Sequence, residues 1–246
     1  MISKAKQRLV KSLQSKKIRQ KHQLFLVQGE KGVSETFDSD YQVDTVFVTD
    51  HFAQKYHKQL QGNQIVQVSE KELQDLGTLE TNSAALAVVH TKDVSSLDLE
   101  PNQTGLMLDN VRDPGNLGTI IRTADWFGIT RIIASKGTVD LYNPKVISST
   151  MGSFTRVQVY YTDLEQYIDQ HSEYQYIGTS MSGTDINKIE FKKPSIICLG
   201  NESNGISLEV QNRMDQLVSI PGKGGAESLN VAIAAGIMMQ LSSDSN

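Results

Sequence analysis

Residues Gly105–Ala134 read GLMLDNVRDPGNLGTIIRTADWFGITRIIA. An apolar run of strand length, Gly105–Leu108, gives way to a polar loop. Beyond the loop Leu117, Ile120, Ile121, Ala124 and Phe127 recur at i, i+3, i+4, i+7 and i+10, the spacing of one helix face turned to a core. That stripe leaves Thr119, Arg122 and Asp125 facing elsewhere. A second β-like run, Arg131–Ala134, follows Gly128. Strand, helix and strand in this order form a crossover unit, and such units build parallel sheets covered on both faces.

The alternation continues downstream, with β-like runs at Arg156–Tyr160, Tyr176–Thr179, Ser195–Leu199 and Leu217–Ile220. The last helix, Leu229–Leu241, is apolar almost all round, so it demands burial against its own sheet or a second subunit. The Ser-Ser-Asp-Ser-Asn tail, 242–246, is expected to fray. Upstream, Lys92–Thr104 (KDVSSLDLEPNQT) is polar and rich in turn formers. A linker over 94–103 therefore separates a domain over 1–93 from one over 104–246. In the first domain β-like runs at Leu24–Val27, Thr45–Val48, Ile65–Val68 and Ala84–Val89 flank helical stretches around Lys31–Phe37, Phe52–Leu60 and Glu70–Leu76. The fold class is α/β, a small α/β domain followed by a mostly parallel-sheet α/β domain.

Composition narrows the function. At 246 residues with 38% hydrophobic and 21% charged residues, the chain is neither disordered nor collagen-like and is long enough to bury a core. One cysteine, Cys198, excludes a disulfide framework and cysteine-based zinc sites; His22, His51, His57, His90 and His171 lack ligand spacing, so no metal is expected. No apolar run reaches the roughly 18 residues of a membrane span, and no secretory apolar stretch opens the chain. A cytoplasmic protein with no membrane contact is expected.

The net charge of -4 hides an asymmetry. Residues 1–29 hold eight basic residues and no acidic one, leaving the rest with 16 basic against 28 acidic. Within Lys4–Gln20, Leu9, Val10 and Leu13 fall at helical spacing, predicting one short amphipathic helix. A basic arm on an acidic body is a footprint of RNA contact through counterion release, with Lys11, Lys16, Lys17 and Arg19 as candidate phosphate ligands. A solvated helix face and a transit peptide are the other readings, the latter disfavoured by the Lys- and Gln-rich composition.

Three loops in the second domain, 108–128, 199–207 (LGNESNGIS) and 220–230 (IPGKGGAESLN), are dense in Gly and Asn and follow strands. In open parallel sheets ligands sit beyond the carboxyl ends of the strands. Gly222-Lys223 is not followed by Ser or Thr, and no GxGxxG follows the first strand of either domain, which argues against an ATP or dinucleotide enzyme.

Taken in order, the loops resemble the SpoU/TrmH family of the SPOUT superfamily, RNA ribose 2'-O-methyltransferases. The first matches D-P-x-N-x-G-x-x-x-R-[ST]-A-D at Asp113, Pro114, Asn116, Gly118, Arg122, Thr123, Ala124 and Asp125. The second is similar over Leu199–Gly205, with the family glutamate at Glu202. The third is similar at Ile220-Pro221 and Ser228-Leu229-Asn230-Val231. Ser203 and Ala232 depart from the residues usual there, Gly and Ser, without touching the reacting groups. The first 90 residues resemble the substrate-binding domain that often precedes the catalytic one.

The resemblance implies S-adenosylmethionine as co-substrate, RNA as partner with ribosomal RNA ahead of tRNA, a homodimer, and a C-terminal trefoil knot, a rare topology. It implies donor contacts at Thr179, Leu199, Gly200, Ile220, Ser228 and Leu229, and catalytic roles for Asn116, Arg122, Glu202, Ser228 and Asn230. Arg122 has a bland alternative, a surface ion pair. Ser228 also reads as the N-cap of the last helix, and Glu202 as a residue that orients a basic partner, structural as readily as catalytic. A non-catalytic RNA-binding or ribosome-assembly protein is the rival reading; an enzyme acting on a protein or small molecule is disfavoured by the basic arm.

Overall fold

In the computed structural model, which describes residues 2–79 and 81–243, the basic arm folds as two helices, α1 (Lys4–Ser12) and α2 (Lys16–His22). The expected single helix breaks where Arg19 Nη1 donates to the carbonyl oxygens of Leu13 and Gln14, at 3.0 and 2.8 Å. A cation on the carbonyls just past the end of α1 satisfies groups that continued helix would otherwise have bonded. Val10 and Leu13 are buried beside Leu26, Phe47, Leu73 and Leu86.

The chain continues through β1 (Leu24–Gln28), α3 (Glu30–Phe37), β2 (Val43–Val48), α4 (Asp50–Lys55), β3 (Ile65–Gln67), α5 (Glu70–Leu76) and β4 (Ala85–His90). The four strands lie in the order β1-β4-β2-β3, with β4 antiparallel to both neighbours and β3 parallel to β2. A capping box at Ser69 and Glu72 starts α5.

The second half runs β5 (Thr104–Leu108), α6 (Pro114–Trp126), β6 (Arg131–Ser135), α7 (Pro144–Thr150), β7 (Gln158–Thr162), α8 (Leu164–Gln170), β8 (Gln175–Asp185), β9 (Ser195–Leu199), α9 (Leu208–Gln211), β10 (Gln216–Ser219) and α10 (Val231–Ser243). Its six strands form a wholly parallel sheet in the order β10-β8-β9-β5-β6-β7. The expected crossover unit is thus β5-α6-β6. Asp113 caps α6 by accepting from Asn116 N, and Pro114 occupies its first turn. Leu117, Ile120, Ile121 and Ala124 are buried.

The chain divides into two units, one holding Asp140–Arg156 together with the residues up to Asp93, the other holding Val94–Val139 and the chain from Val157 onward. The excursion around α7 therefore packs with the first unit, although it lies within the span 104–246 read as one domain. Its apolar residues explain why: Tyr142 and Phe154 lie 4.5 and 5.8 Å from the Phe25 ring, and α7 packs on β1. Asp140 pairs with Arg19, and Arg156 with Glu35. The presumed linker is likewise only partly free. Leu97 and Leu99 are buried in the second unit's core, where Tyr167 Oη donates to Leu97 O and Leu99 N donates to Tyr174 Oη. The expected fraying does not begin at Ser242, which is buried in α10; Asp244–Asn246 lie outside the described residues. Among the described residues no helix is long and apolar enough to cross a membrane.

Candidate active site

The three motif loops follow β5, β9 and β10, of which β5 and β9 are neighbours and β10 lies one strand further, beyond β8; hydrogen bonds join the three loops. Asn116, in the first turn of α6, donates through Nδ2 to Glu202 Oε1 at 2.7 Å. Asn230, just before α10, donates through Nδ2 to Asn116 Oδ1 at 3.0 Å. Its own Oδ1 accepts from Ala232 N at 2.9 Å. That backbone donor fixes which way the Asn230 amide faces, and so sets the direction of every bond from Asn230 through Asn116 to Glu202. Residues 86 and 114 positions from Asn116 thus form one relay joining all three loops. Asn201 Nδ2 lies 3.3 Å from the other Glu202 oxygen.

The cap of α10 is therefore Asn230. Ser228 does not fill that role: the helix starts at Val231, and the Asn230 carboxamide already meets its first-turn N–H. Ser228 is exposed within 221–230, a stretch exposed throughout, where Leu229 leaves an apolar side chain half-exposed.

Arg122 stands apart from the relay. Six residues along α6 from Asn116, it lies around the helix from that amide, exposed and without an ion pair among the described residues. The surface ion pair that offered its alternative reading is absent among them.

Leu199 and Gly200 are buried at the end of β9, with Leu199 O accepting from Asp109 N at 2.9 Å. Beneath them the Cys198 thiol is pushed up from its usual pKa by burial and by the nearby Asp109 carboxylate. Gly200 has no room for a side chain: a Cβ would fall 2.0 Å from the Gly205 carbonyl carbon. The space it guards is the loop's own backbone. Thr179 donates from Oγ1 to Cys198 O at 3.3 Å, at the point where residues 179–183 bulge out of register between β8 and β10. Ile220 is half-buried just past β10.

On the first unit Lys11, Lys16 and Lys17 are exposed. Arg19 is not: it is 3% exposed and bonds Asp140 Oδ2 through Nη2 at 2.6 Å and Nε at 3.2 Å. That corrects its reading as a phosphate ligand, since its donors are spent inside the fold. Sequence reasoning also passed over Asp109, Asn110 and Asn201, whose only signal was their place at strand ends.

The profile of the SpoU rRNA Methylase family matches residues 103–240, and that of the MRM3-like substrate binding domain matches residues 4–87. The 23S rRNA (guanosine(2553)-2'-O)-methyltransferase of Bacillus subtilis is 33% identical over 233 residues, covering 93% of this chain and 92% of that protein. The 23S rRNA (uridine(2479)-2'-O)-methyltransferase of Streptomyces viridochromogenes is 30% identical, over 86% of this chain and 79% of that one. Among solved structures, the AdoMet-bound rRNA methyltransferase of Sinorhizobium meliloti superposes with a TM-score of 0.89 at 28% identity, over 98% of this chain and 96% of that one.

Proposed function

The chain belongs to the SpoU rRNA methylase family, and on that premise we propose that it methylates a ribose 2'-hydroxyl of ribosomal RNA, using S-adenosylmethionine. The relay from Asn230 through Asn116 to Glu202 is the observation that carries this reading, because it unites the three motif loops in one polar constellation.

The residues present fit the donor. Exposed backbone over 221–230, the half-exposed Leu229 and the strand end at Leu199–Gly200 offer amides, carbonyls and apolar surface, which suit a nucleoside read without charged side chains. Thr179, Leu199, Gly200, Ile220, Ser228 and Leu229 would hold it. When bound, it supplies a methyl on a sulfonium: a C–O bond to the ribose oxygen forms as C–S breaks, the electron pair stays on sulfur, and the hydroxyl proton leaves to water or a phosphate oxygen.

The chain's own groups orient and stabilise. The relay gives Asn116 and Asn230 fixed faces toward a ribose, with Ser228 beside them, while Glu202 anchors the far end. Arg122, exposed and permanently charged, binds the target phosphate and stabilises the developing alkoxide; a guanidinium does not serve as base. Exposed Lys11, Lys16 and Lys17 supply phosphate contacts on the substrate-binding unit.

Three finer features belong to the same reading. The adjacent helices α6 and α10 leave Trp126 84% and Ile233 55% exposed, and this apolar surface supports a homodimer. The return from the edge strand β10 to α10 beside α6 supports a trefoil knot in the C-terminal segment. The enzyme works in the cytoplasm, with its ribosomal substrate. Mapping 2'-O-methylated riboses in total RNA from cells with and without the protein tests the function: one ribosomal site should lose its methyl group, and an unchanged map contradicts the proposal.

A further inference from the structure

Asp109 carries a carboxylate into the interior of the second unit. It is 3% exposed, and no cation pairs with it among the described residues. Burying such a group is costly unless hydrogen bonds satisfy it. Both oxygens are engaged: Oδ2 accepts from Ser207 N at 2.8 Å, and Oδ1 accepts from Asn110 Nδ2 at 2.8 Å. Neither bond belongs to the sheet.

The neighbouring residue completes the pattern. Asn110 adopts a left-handed φ of 57°, and its backbone N donates to Ser135 Oγ at 2.9 Å. Its carbonyl thereby turns to accept from Asn201 Nδ2 at 2.8 Å. Asn201 in turn exchanges backbone bonds with Gly205, at 2.9 and 2.8 Å, and accepts Ser203 N on its side chain. So Asn110 takes the entry of the loop 201–207 and Asp109 takes its exit. The loop between them bears Glu202, and it starts from Gly200, against which Gly205 and Ile206 pack too closely for any Cβ.

We infer that Asp109 is a positioning residue, a buried staple that fixes both ends of the Glu202 loop to the end of β5, directly and through Asn110, and so presets the donor cradle. It touches no reacting group. The functional half of this inference rests on the methyltransferase reading; the structural half does not.

The test uses the full chain. In Asp109→Ala, hydrogen exchange of peptides spanning 200–207 should accelerate by about 10-fold or more, while peptides in β5 and β9 keep their protection. Calorimetry with S-adenosylmethionine should show Kd raised by about 10-fold in the folded protein. Asp109→Asn should recover most of both, because its amide oxygen still accepts Ser207 N–H and the Asn110 amide can turn over to match. Protection lost evenly across β5 and β9 as well as 200–207, with Kd unchanged, would mark a merely structural role and overturn the inference. Wild-type protection at 200–207 in Asp109→Ala, or equal impairment of Asp109→Ala and Asp109→Asn, overturns the staple. Should Asp109→Ala fail to fold, Ser207→Pro removes the same donor at a φ of -58° that proline adopts. It should loosen the loop where Asp109→Asn does not, and the reverse order overturns the inference. Absence of donor binding by the wild-type chain counts against the methyltransferase reading, while the exchange comparison still decides the staple.

Discussion

Replacing Arg19 by Met keeps much of the side-chain volume and removes a guanidinium that makes four bonds, two to Asp140 and one each to the carbonyls of Leu13 and Gln14. Removing one partner of a buried pair costs about 3–5 kcal/mol. Asp140 retains 20% exposure, so water screens part of that loss and the lower end, about 3 kcal/mol, applies. For a chain of this size that corresponds to a Tm lower by roughly 6–12 °C. Thermal unfolding followed by circular dichroism measures it, beside binding of a ribosomal RNA fragment across a range of salt. The exposed Lys16 and Lys17 should behave in the opposite way. Reversal of either to Glu should move stability by no more than about 0.5 kcal/mol and flatten the salt dependence by about 0.7–0.9 per lost phosphate contact. Wild-type stability in Arg19→Met, or a flattened salt slope from a stably folded Arg19→Met, would refute the assignment of Arg19 to the fold.

Four further outcomes are expected. Arg122→Ala should leave S-adenosylmethionine affinity nearly intact and lower methyl transfer by about 10²-fold or more; full activity would remove Arg122 from the site. Gly200→Ala should lower Tm and weaken donor binding together, because the added Cβ meets Gly205 backbone at 2.0 Å; weakened binding at unchanged Tm would mean that the side chain only fills donor space. Cys198, buried and with its thiol pushed up, should resist a thiol reagent at pH 8 in the native chain and react on unfolding, so rapid native labelling would contradict its burial. Solution scattering at micromolar concentration should give twice the 27.3 kDa chain mass, reduced by Ile233→Glu; a single-chain mass contradicts the homodimer.

The parallel sheet and its crossover unit were legible because Leu117, Ile120, Ile121 and Ala124 repeat with helical period between two short apolar runs, and local periodicity is what a sequence displays best. The relay was legible only through the motif resemblance. Asn116, Glu202 and Asn230 are polar residues in Gly-rich loops after β5, β9 and β10, and their convergence depends on the order those distant strands take in the sheet. Arg19 was indistinguishable from its seven basic neighbours, since its partner Asp140 lies 121 residues away. The excursion 140–156 escaped for the same reason: Tyr142, Val146 and Phe154 are unremarkable apolar residues until β1 is beside them. A local signal did exist in the presumed linker, where Leu97 and Leu99 alternate with polar residues as a half-buried extended segment does. Asp109 had none, because a carboxylate at a strand end reads equally as an exposed turn residue.

Transfer of labelled methyl from S-adenosylmethionine to ribosomal RNA that lacks the modification, followed by digestion to nucleosides and mass spectrometry, tests the central claim most directly. The label should appear on a single 2'-O-methylnucleoside from ribosomal RNA, and its formation should be lost in Arg122→Ala. Label on a base, or methyl transfer confined to tRNA, would contradict the account.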